Sequence, residues 1–171
     1  MILAIDPGNE QSAYVVIDKD LTPIQFAKVE NLELMELIKS GEFKDCDHLA
    51  IEMIASYGMA VGKTVFETCV WIGRYMELLE SQHGLKATWV YRRDVKMNLC
   101  NSTRAKDSNV TQALVDRFAP YTRNKGKGTK KEPGFFYGFK ADIWAAYAVG
   151  VTYADKKMNL SKNRVVERKP K

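Results

Sequence analysis

The first eighteen residues, MILAIDPGNEQSAYVVID, constrain the fold more than any other part of the chain. An apolar run over residues 1–5 leads to Asp6 and a Pro7-Gly8 turn, and β-type residues resume over 12–17. The run is too short to cross a membrane, and aliphatic residues before a Pro-Gly terminator favour a buried strand. The stretch therefore predicts a hairpin whose first strand ends in a carboxylate. Asp6 could also simply begin an Asx-type turn, so the interpretation depends on the other acids.

Composition is that of an ordinary globular protein. With 171 residues, 46% of them hydrophobic, the chain can bury a core, and we expect one domain over 1–155 and a basic tail over 156–171. The tail is expected to be disordered or to act as an electrostatic arm. Three widely separated cysteines predict neither a disulfide framework nor a metal site, and no targeting segment precedes the first predicted strand, so the expected location is the cytoplasm. The net charge of +5 permits a polyanionic partner without requiring one.

Hydrophobic periodicity, capping residues and turn residues predict an alternating α/β chain. Strands are predicted over residues 1–6, 12–17, 24–29, 47–52 and 87–91. Helices are predicted over residues 31–40, 63–83, 107–118 and from about 140 to 155, with a short helical turn over 94–99. Residues 123–131 (RNKGKGTKK) hold five basic residues, two glycines and no apolar residue, which predicts a mobile basic loop; an ordinary solvated loop is the alternative.

Three acids occupy similar places at the ends of elements. Asp6 ends the first predicted strand, Glu52 ends the fourth, and Asp142 lies in the predicted first turn of the last helix. If the first and fourth strands are neighbours, the first two acids leave the sheet at one edge, and a helix beside the first strand brings Asp142 to them. Such a carboxylate cluster requires hard divalent cations, Mg²⁺ or Mn²⁺, which can activate water at a phosphate. Alternatively, Asp142 only complements the helix dipole.

These residues resemble a known family. Asp6-Pro7-Gly8-Asn9, the β-type run over 12–17, Glu52 after an apolar strand, and KADIWAAYAVG near the last helix together resemble the RuvC-type Holliday junction resolvases, in particular their phage-borne relatives, from residue 1 to about residue 154. The resemblance implies an α/β, ribonuclease H-like fold with a five-stranded mixed sheet flanked by helices. It also implies a homodimeric, Mg²⁺-dependent endonuclease that nicks two strands of a four-way DNA junction symmetrically, with Mn²⁺ as a substitute cation.

Carried over to this chain, the resemblance makes Asp6, Glu52 and Asp142 metal ligands. Family members often carry a D-x-x-D pattern at the last helix, and with Asp142 as its first acid the second falls on Ala145. In the other register Asp142 is the second acid and Phe139 replaces the first. The residues around Asp142 favour the first register. Ala145 is then a natural loss or an inactivating change.

The resemblance also suggests which residues contact DNA. Two lysines resemble the family's basic positions that contact phosphates near the cleaved bond: Lys96, which is expected to act there, and Lys106, which is one place off in a gapless match. The alternative is that both are solvated surface lysines without a role. The same positive surface is extended by Arg92, Arg93, Arg104, Arg123 and Lys125. Tyr57 is the candidate for an aromatic wedge at the junction centre, and Met59 is the second choice.

Several alternatives remain open at this point. The long helix from Lys63 has apolar residues on two flanks, which fits a dimer seam or ordinary core packing equally well. GMAVGKT over 58–64 lacks the spacing of a nucleotide-binding loop, so no nucleotide cofactor is expected, and no membrane partner is expected either. Two other functions are a catalytically impaired junction-binding protein and a ribonuclease H-like nuclease that acts on flaps, forks or RNA.

Overall fold

The computed structural model describes residues 1–58 and 60–167, with side chains as far as residue 157. Its elements are β1 (Ile2–Asp6), β2 (Gln11–Ile17), β3 (Pro23–Glu30), α1 (Asn31–Lys39), β4 (His48–Met53), α2 (Lys63–His83), β5 (Ala87–Tyr91), α3 (Arg92–Cys100), α4 (Asp107–Phe118) and α5 (Ile143–Glu167). All five predicted strands are present. The predicted helical turn over 94–99 is instead a nine-residue helix, α3.

The five strands form one mixed sheet in the order β3-β2-β1-β4-β5. β1 pairs antiparallel with β2, which confirms the predicted hairpin, and β4 pairs in parallel with both β1 and β5. Because parallel strands end at the same edge of a sheet, the last residues of β1 and β4 come together there. The predicted adjacency of the first and fourth strands is therefore correct.

Each face of the sheet is covered by its own set of helices. Successive side chains of β1 alternate between the two faces, with Ala4 in the core beneath α5 and Leu3 in the core beneath α1 and α2. Each fully buried aliphatic side chain here stabilises the fold by about 1.5–3 kcal/mol. Gly150 allows α5 to approach closely, since a Cβ at this position would lie 3.0 Å from both Ala4 Cβ and Ile17 Cδ1. Asp6 and Glu52 point to the same face as Ala4, towards α5.

The last helix differs from its prediction at both ends. It begins at Ile143, so Asp142 precedes the helix instead of lying in its first turn, and the Asp142 carbonyl accepts the backbone N–H of Ala146 at 2.9 Å. It also continues to Glu167, through most of the segment predicted to be a basic tail. The expectation of disorder did not allow for this, because a polar segment can continue a helix whose first turns are already packed. The alternative expectation, an electrostatic arm, stays a prediction. The division of the chain at residue 155 stays a prediction.

The basic loop over 123–131 is held by backbone hydrogen bonds that the sequence did not predict, and its mobility stays a prediction. Gly126 adopts φ +74°, accepts the backbone N–H of Phe136 at 3.0 Å, and has no room for a Cβ, which would lie 2.7 Å from Phe136 and Ala119. Phe136 belongs to a buried aromatic cluster with Phe139 and Tyr147. The aromatic residues that fix the loop follow it in the sequence, outside the nine residues on which the prediction rested.

Across the part of the chain that the structure describes, no helix has both the length and the apolar character needed to cross a bilayer.

Candidate active site

An open cavity of about 370 Å³ lies at the edge of the sheet where β1 and β4 end. Four acidic side chains line it, Asp6, Glu52, Asp107 and Asp142, and the other residues of its wall include Arg92, Tyr57 and Ala145. The structure therefore brings all three predicted ligand acids to one cavity. Asp107 is an addition that sequence reasoning placed only at the start of a helix.

Asp6 and Glu52 are immediate neighbours. The last paired residues of the two strands are Ile5 and Ile51, and the acids follow one residue further on each strand. Their carboxyl groups lie close enough for one to donate a hydrogen bond to the other when it is protonated. Burial, followed by the proximity of Glu52, holds the pKa of Asp6 well above its usual range. Burial also raises the pKa of Glu52, although the hydrogen bond from Asp6 and the positive charge of Arg92 oppose the rise.

Asp142 faces the same cavity but is paired elsewhere. Its negative charge contributes to the raised pKa of Asp6, yet its Oδ2 forms an ion pair with Lys28 Nζ at 2.6 Å. Within the described residues, no three His, Cys, Asp or Glu side chains are gathered closely enough to hold one metal ion. Two of the predicted ligands, Asp6 and Glu52, are thus neighbours, whereas the third, Asp142, is ion-paired with Lys28.

The chemistry of these donors fits a hard divalent cation. Carboxylate oxygens are the ligands that Mg²⁺ and Mn²⁺ prefer, and two buried carboxyl groups in contact require either a proton or a cation between them. Asp6 and Glu52 would hold the cation first. Asp142 would join them in competition with its ion pair to Lys28.

Arg92, predicted to extend the positive DNA-binding surface, lies in the acidic cavity, and its contact with DNA stays a prediction. It is the first residue of α3, directly after β5, and its guanidinium lies in the cavity, where it donates a hydrogen bond to Asp107. Its charge acts on both Glu52 and Asp6. Arg92 Nη1 is buried and has no hydrogen-bond partner. Arg92 therefore lies within the acidic cavity and supplies positive charge to it.

The remaining predicted DNA-binding residues lie outside the cavity wall or at its rim. Tyr57 is 59% exposed, at the rim, in a left-handed turn with φ 48°. Lys96 is half-buried on α3, and its charge acts on Glu52. Five others are exposed and do not line the cavity: Arg93, Arg104, Lys106, Arg123 and Lys125. Met59, the second candidate for the wedge, lies outside the described residues.

The two registers proposed for the missing fourth acid place their residues in different environments. Ala145 lines the acidic cavity, whereas Phe139 is 1% exposed and packs in the core against Phe26. An acid at 145 would therefore face Asp6, Glu52 and Asp142, while an acid at 139 would be buried among aromatic rings.

A buried polar network fixes the turn that follows Asp6. Ser12 Oγ accepts the backbone N–H of Gly8 at 3.3 Å and donates to Asn31 Oδ1 at 2.7 Å, while Asn31 Nδ2 donates to the Gly8 carbonyl at 2.9 Å. Tyr75 of α2 adds a hydrogen bond to Ser12 Oγ at 3.1 Å. Asn31 was predicted to cap a helix, but its side chain makes no capping hydrogen bond and instead binds the carbonyl of Gly8 in this turn. The network holds the turn that follows Asp6 against α1 and α2.

Comparison with known proteins identifies the fold. No protein-family model and no curated protein sequence matches the chain. Solved structures do match, and they define the class as an α/β fold of the ribonuclease H-like type, as the sequence resemblance implied.

The matching structures include RuvC of Thermus thermophilus, with 12% identity, a TM-score of 0.64, and coverage of 92% of this chain and 96% of that chain. The same protein in complex with a Holliday junction substrate gives 13% identity, a TM-score of 0.66, and coverage of 92% and 95%. The fowlpox virus resolvase in complex with substrate Holliday junction DNA gives 15% identity and a TM-score of 0.56, with coverage of 91% of this chain and 99% of that chain. At these identities the likeness establishes a shared fold.

Proposed function

We propose that the protein is a divalent-cation-dependent endonuclease that resolves four-way DNA junctions by paired, symmetric nicks. The observation that carries the proposal is the convergence of Asp6, Glu52 and Asp142 on one cavity of a fold shared with junction-bound resolvases. Fold alone does not determine function, so the argument depends on the residues of the site.

Asp6, Glu52 and Asp142 would hold Mg²⁺ or Mn²⁺ through their carboxylate oxygens. A cation held there supplies activation of the attacking water and stabilisation of the leaving 3′-oxygen. Arg92 offsets the negative charge of the acids and of an incoming phosphate, and the network around Ser12 keeps the loop after Asp6 in place. Lys96 adds positive charge beside Glu52. The chain thus provides both the acidic ligands for the metal ion and the positively charged side chains that let DNA approach those acids.

The surface around the cavity has the character that DNA binding requires. Lys106, Arg93 and Arg104 are exposed on or near α3 and α4, and Arg123 and Lys125 extend from the anchored basic loop. Contacts from such residues to phosphates make affinity fall steeply with salt. The exposed Tyr57 ring at the rim can stack on an unpaired base, which is worth about 1–3 kcal/mol.

A homodimer is part of the proposal because a two-fold symmetric junction requires two cuts related by that symmetry. α2 carries two exposed apolar residues one helical turn apart, Phe66 at 61% and Val70 at 62% exposure. On its other side Tyr75 is fully buried in the core. The helix thus packs its own core and still presents an apolar face, which supports its assignment to the dimer seam.

The test is a cleavage and binding assay with a labelled four-way junction in Mg²⁺, Mn²⁺ or EDTA. Linear duplex, forked DNA and an RNA–DNA hybrid serve as competitors, and Asp6→Asn is the control variant. The proposal predicts two symmetric nicks in Mg²⁺ or Mn²⁺, none in EDTA, and a band shift that duplex does not compete away. Cleavage of the fork or of the hybrid in preference to the junction contradicts it.

A second candidate is a junction-binding protein with impaired catalysis. Ala145, which lines the cavity where a fourth acid would face the other three, favours this candidate. The same assay separates the two functions, because the second predicts a junction-specific band shift without nicks in either cation.

A further inference from the structure

We propose that Lys28 is a built-in competitor of the divalent cation: it holds Asp142 away from the other two acids and thereby weakens cation binding. The inference rests on the cation site of the proposed function, but it does not depend on which nucleic acid is cut. Lys28 belongs to none of the motifs that the sequence suggested.

The sheet register places Lys28 beside the acids. Asp6 pairs with Ala13 across β1 and β2, and Ala13 pairs with Lys28 across β2 and β3. Directly opposed residues in a sheet point to the same face, so Asp6, Ala13 and Lys28 form one row on the side covered by α5. Glu52 extends the row on β4. The row therefore begins with a lysine on the edge strand β3 and holds Asp6 two strands away and Glu52 three strands away.

The small residue between them lets the lysine reach across. Neighbouring strands lie about 4.8 Å apart, so Lys28 starts roughly 10 Å from Asp6, and only a methyl group stands between the two. Lys28 Nζ reaches Asp142 Oδ2 at 2.6 Å, and its side chain is 29% exposed while that of Asp142 is 50% exposed. Asp142 lies directly before α5, so its backbone is fixed and only its side chain is free to change partner.

Asp142 consequently has two competing partners. One is the ammonium group of Lys28, and the other is a cation shared with Asp6 and Glu52. Since no three acids are gathered around one point among the described residues, the arrangement in the structure is the lysine-bound one. Binding of the cation by all three acids therefore competes with the ion pair between Lys28 and Asp142.

The experiment measures Mn²⁺ binding to the DNA-free protein by calorimetry or by electron paramagnetic resonance of free Mn²⁺. Lys28→Met is expected to tighten the Kd about two- to fivefold, the change that corresponds to a partly exposed ion pair. Lys28→Arg preserves the ion pair and should leave the Kd unchanged. Lys140→Met is the matched control, since Lys140 is an exposed lysine two residues from Asp142, and it should also leave the Kd unchanged.

A second pair of variants separates competition for Asp142 from a general effect of charge. In the Asp142→Asn background the ligand for which Lys28 competes is gone, so adding Lys28→Met should leave the Kd of Asp142→Asn unchanged. Equal tightening in both backgrounds overturns the inference, because removal of any nearby positive charge would then explain it. An unchanged Kd for Lys28→Met in the native background also overturns it. If neither the native protein nor Lys28→Met binds Mn²⁺, the inference and the cation site of the proposed function fail together.

Discussion

Asp6 lies beside Glu52 at the carboxyl ends of two parallel strands, close enough for one carboxyl group to donate a hydrogen bond to the other when it is protonated. Burial opposes the ionised form of both, so each pKa lies above its ordinary value. Burying these two carboxyl groups lowers the stability of the fold, whereas a hydrophobic pair at the same place would not. In the proposed nuclease, a divalent cation would satisfy both carboxyl groups at once.

Asp6→Asn and Glu52→Gln should each reduce junction cleavage by about 100-fold or more, because each removes a cation ligand at the reacting phosphate. Thermal unfolding supplies an independent readout. Mn²⁺ should raise the Tm of the native protein through selective binding to the folded state, and the increase should be lost in either variant. Full cleavage activity in both variants would remove these residues from the site.

Ala145→Asp should increase Mg²⁺-dependent cleavage by roughly tenfold, which corresponds to about 1.4 kcal/mol of transition-state stabilisation. The new carboxylate would enter the cavity that Asp6, Glu52 and Asp142 already line. Ala145→Asn is the control of matched size without the charge and should not increase cleavage. Unchanged cleavage by Ala145→Asp across a Mg²⁺ titration would show that the register with Asp142 as the first acid is wrong.

Asn31→Ala should lower the free energy of unfolding by about 1–3 kcal/mol, since it leaves Ser12 and the Gly8 carbonyl without their buried partner. Tyr75→Phe removes only one hydroxyl from the same network and should cost about 1 kcal/mol. Urea denaturation of the DNA-free variants measures both. A loss for Asn31→Ala no larger than that for Tyr75→Phe would mean that the amide does not hold the turn.

Asp155→Asn should destabilise the protein at pH 7 and much less in acid. Burial alone would raise the pKa of Asp155, but hydrogen bonds from Arg117 at 2.7 and 2.9 Å and from Asn98 at 2.8 Å outweigh it, so the pKa is lowered. A lowered carboxyl pKa stabilises the fold above the unfolded value of about 3.9, and this stabilisation is lost as the pH falls through the folded value.

The expected loss for Asp155→Asn at pH 7 is about 1–3 kcal/mol, because Asp155 joins α5 to both α3 and α4 through Asn98 and Arg117. Urea denaturation at pH 7 and at pH 3 compares the variant with the native protein. Equal losses at the two pH values would contradict the assignment of this stabilisation to an ionised carboxylate.

Val70→Glu should convert the proposed homodimer to a monomer without unfolding it, because the exposed side chain lies on the apolar face of α2 and a buried charge at a seam is costly. Ile24→Glu is the control, at a residue that is 56% exposed on the edge strand β3. Analytical ultracentrifugation gives the masses and circular dichroism confirms folding. A native protein that is monomeric at tens of micromolar would refute the dimer.

The sequence predicted the strands and the two acids at their ends because alternation and a Pro-Gly terminator are local signals. Asp6 and Glu52 needed only one further assumption, that their strands are neighbours in parallel. Lys28 was missed because its role depends on the register of two antiparallel pairs and on the small size of Ala13. Neither property is visible in the residues around Lys28.

Asp107 and Arg92 show a second limit of sequence reasoning. Each was interpreted from its local context, Asp107 as a helix-starting residue and Arg92 as surface charge. Their contact joins the start of α4 to the start of α3, and it exists only because both helices pack on the same side of the sheet as α5. Long-range side-chain pairs of this kind follow from the packing of the helices, which periodicity does not specify.

A crystal soaked in Mn²⁺ tests the central claim most directly, because anomalous scattering locates the ion without reference to activity. The account predicts a peak within roughly 2.5 Å of carboxylate oxygens of Asp6 and Glu52, with Asp142 turned from Lys28 towards the ion. Mn²⁺ bound only elsewhere at saturating concentration, with these three carboxylates still in their metal-free contacts, would contradict it.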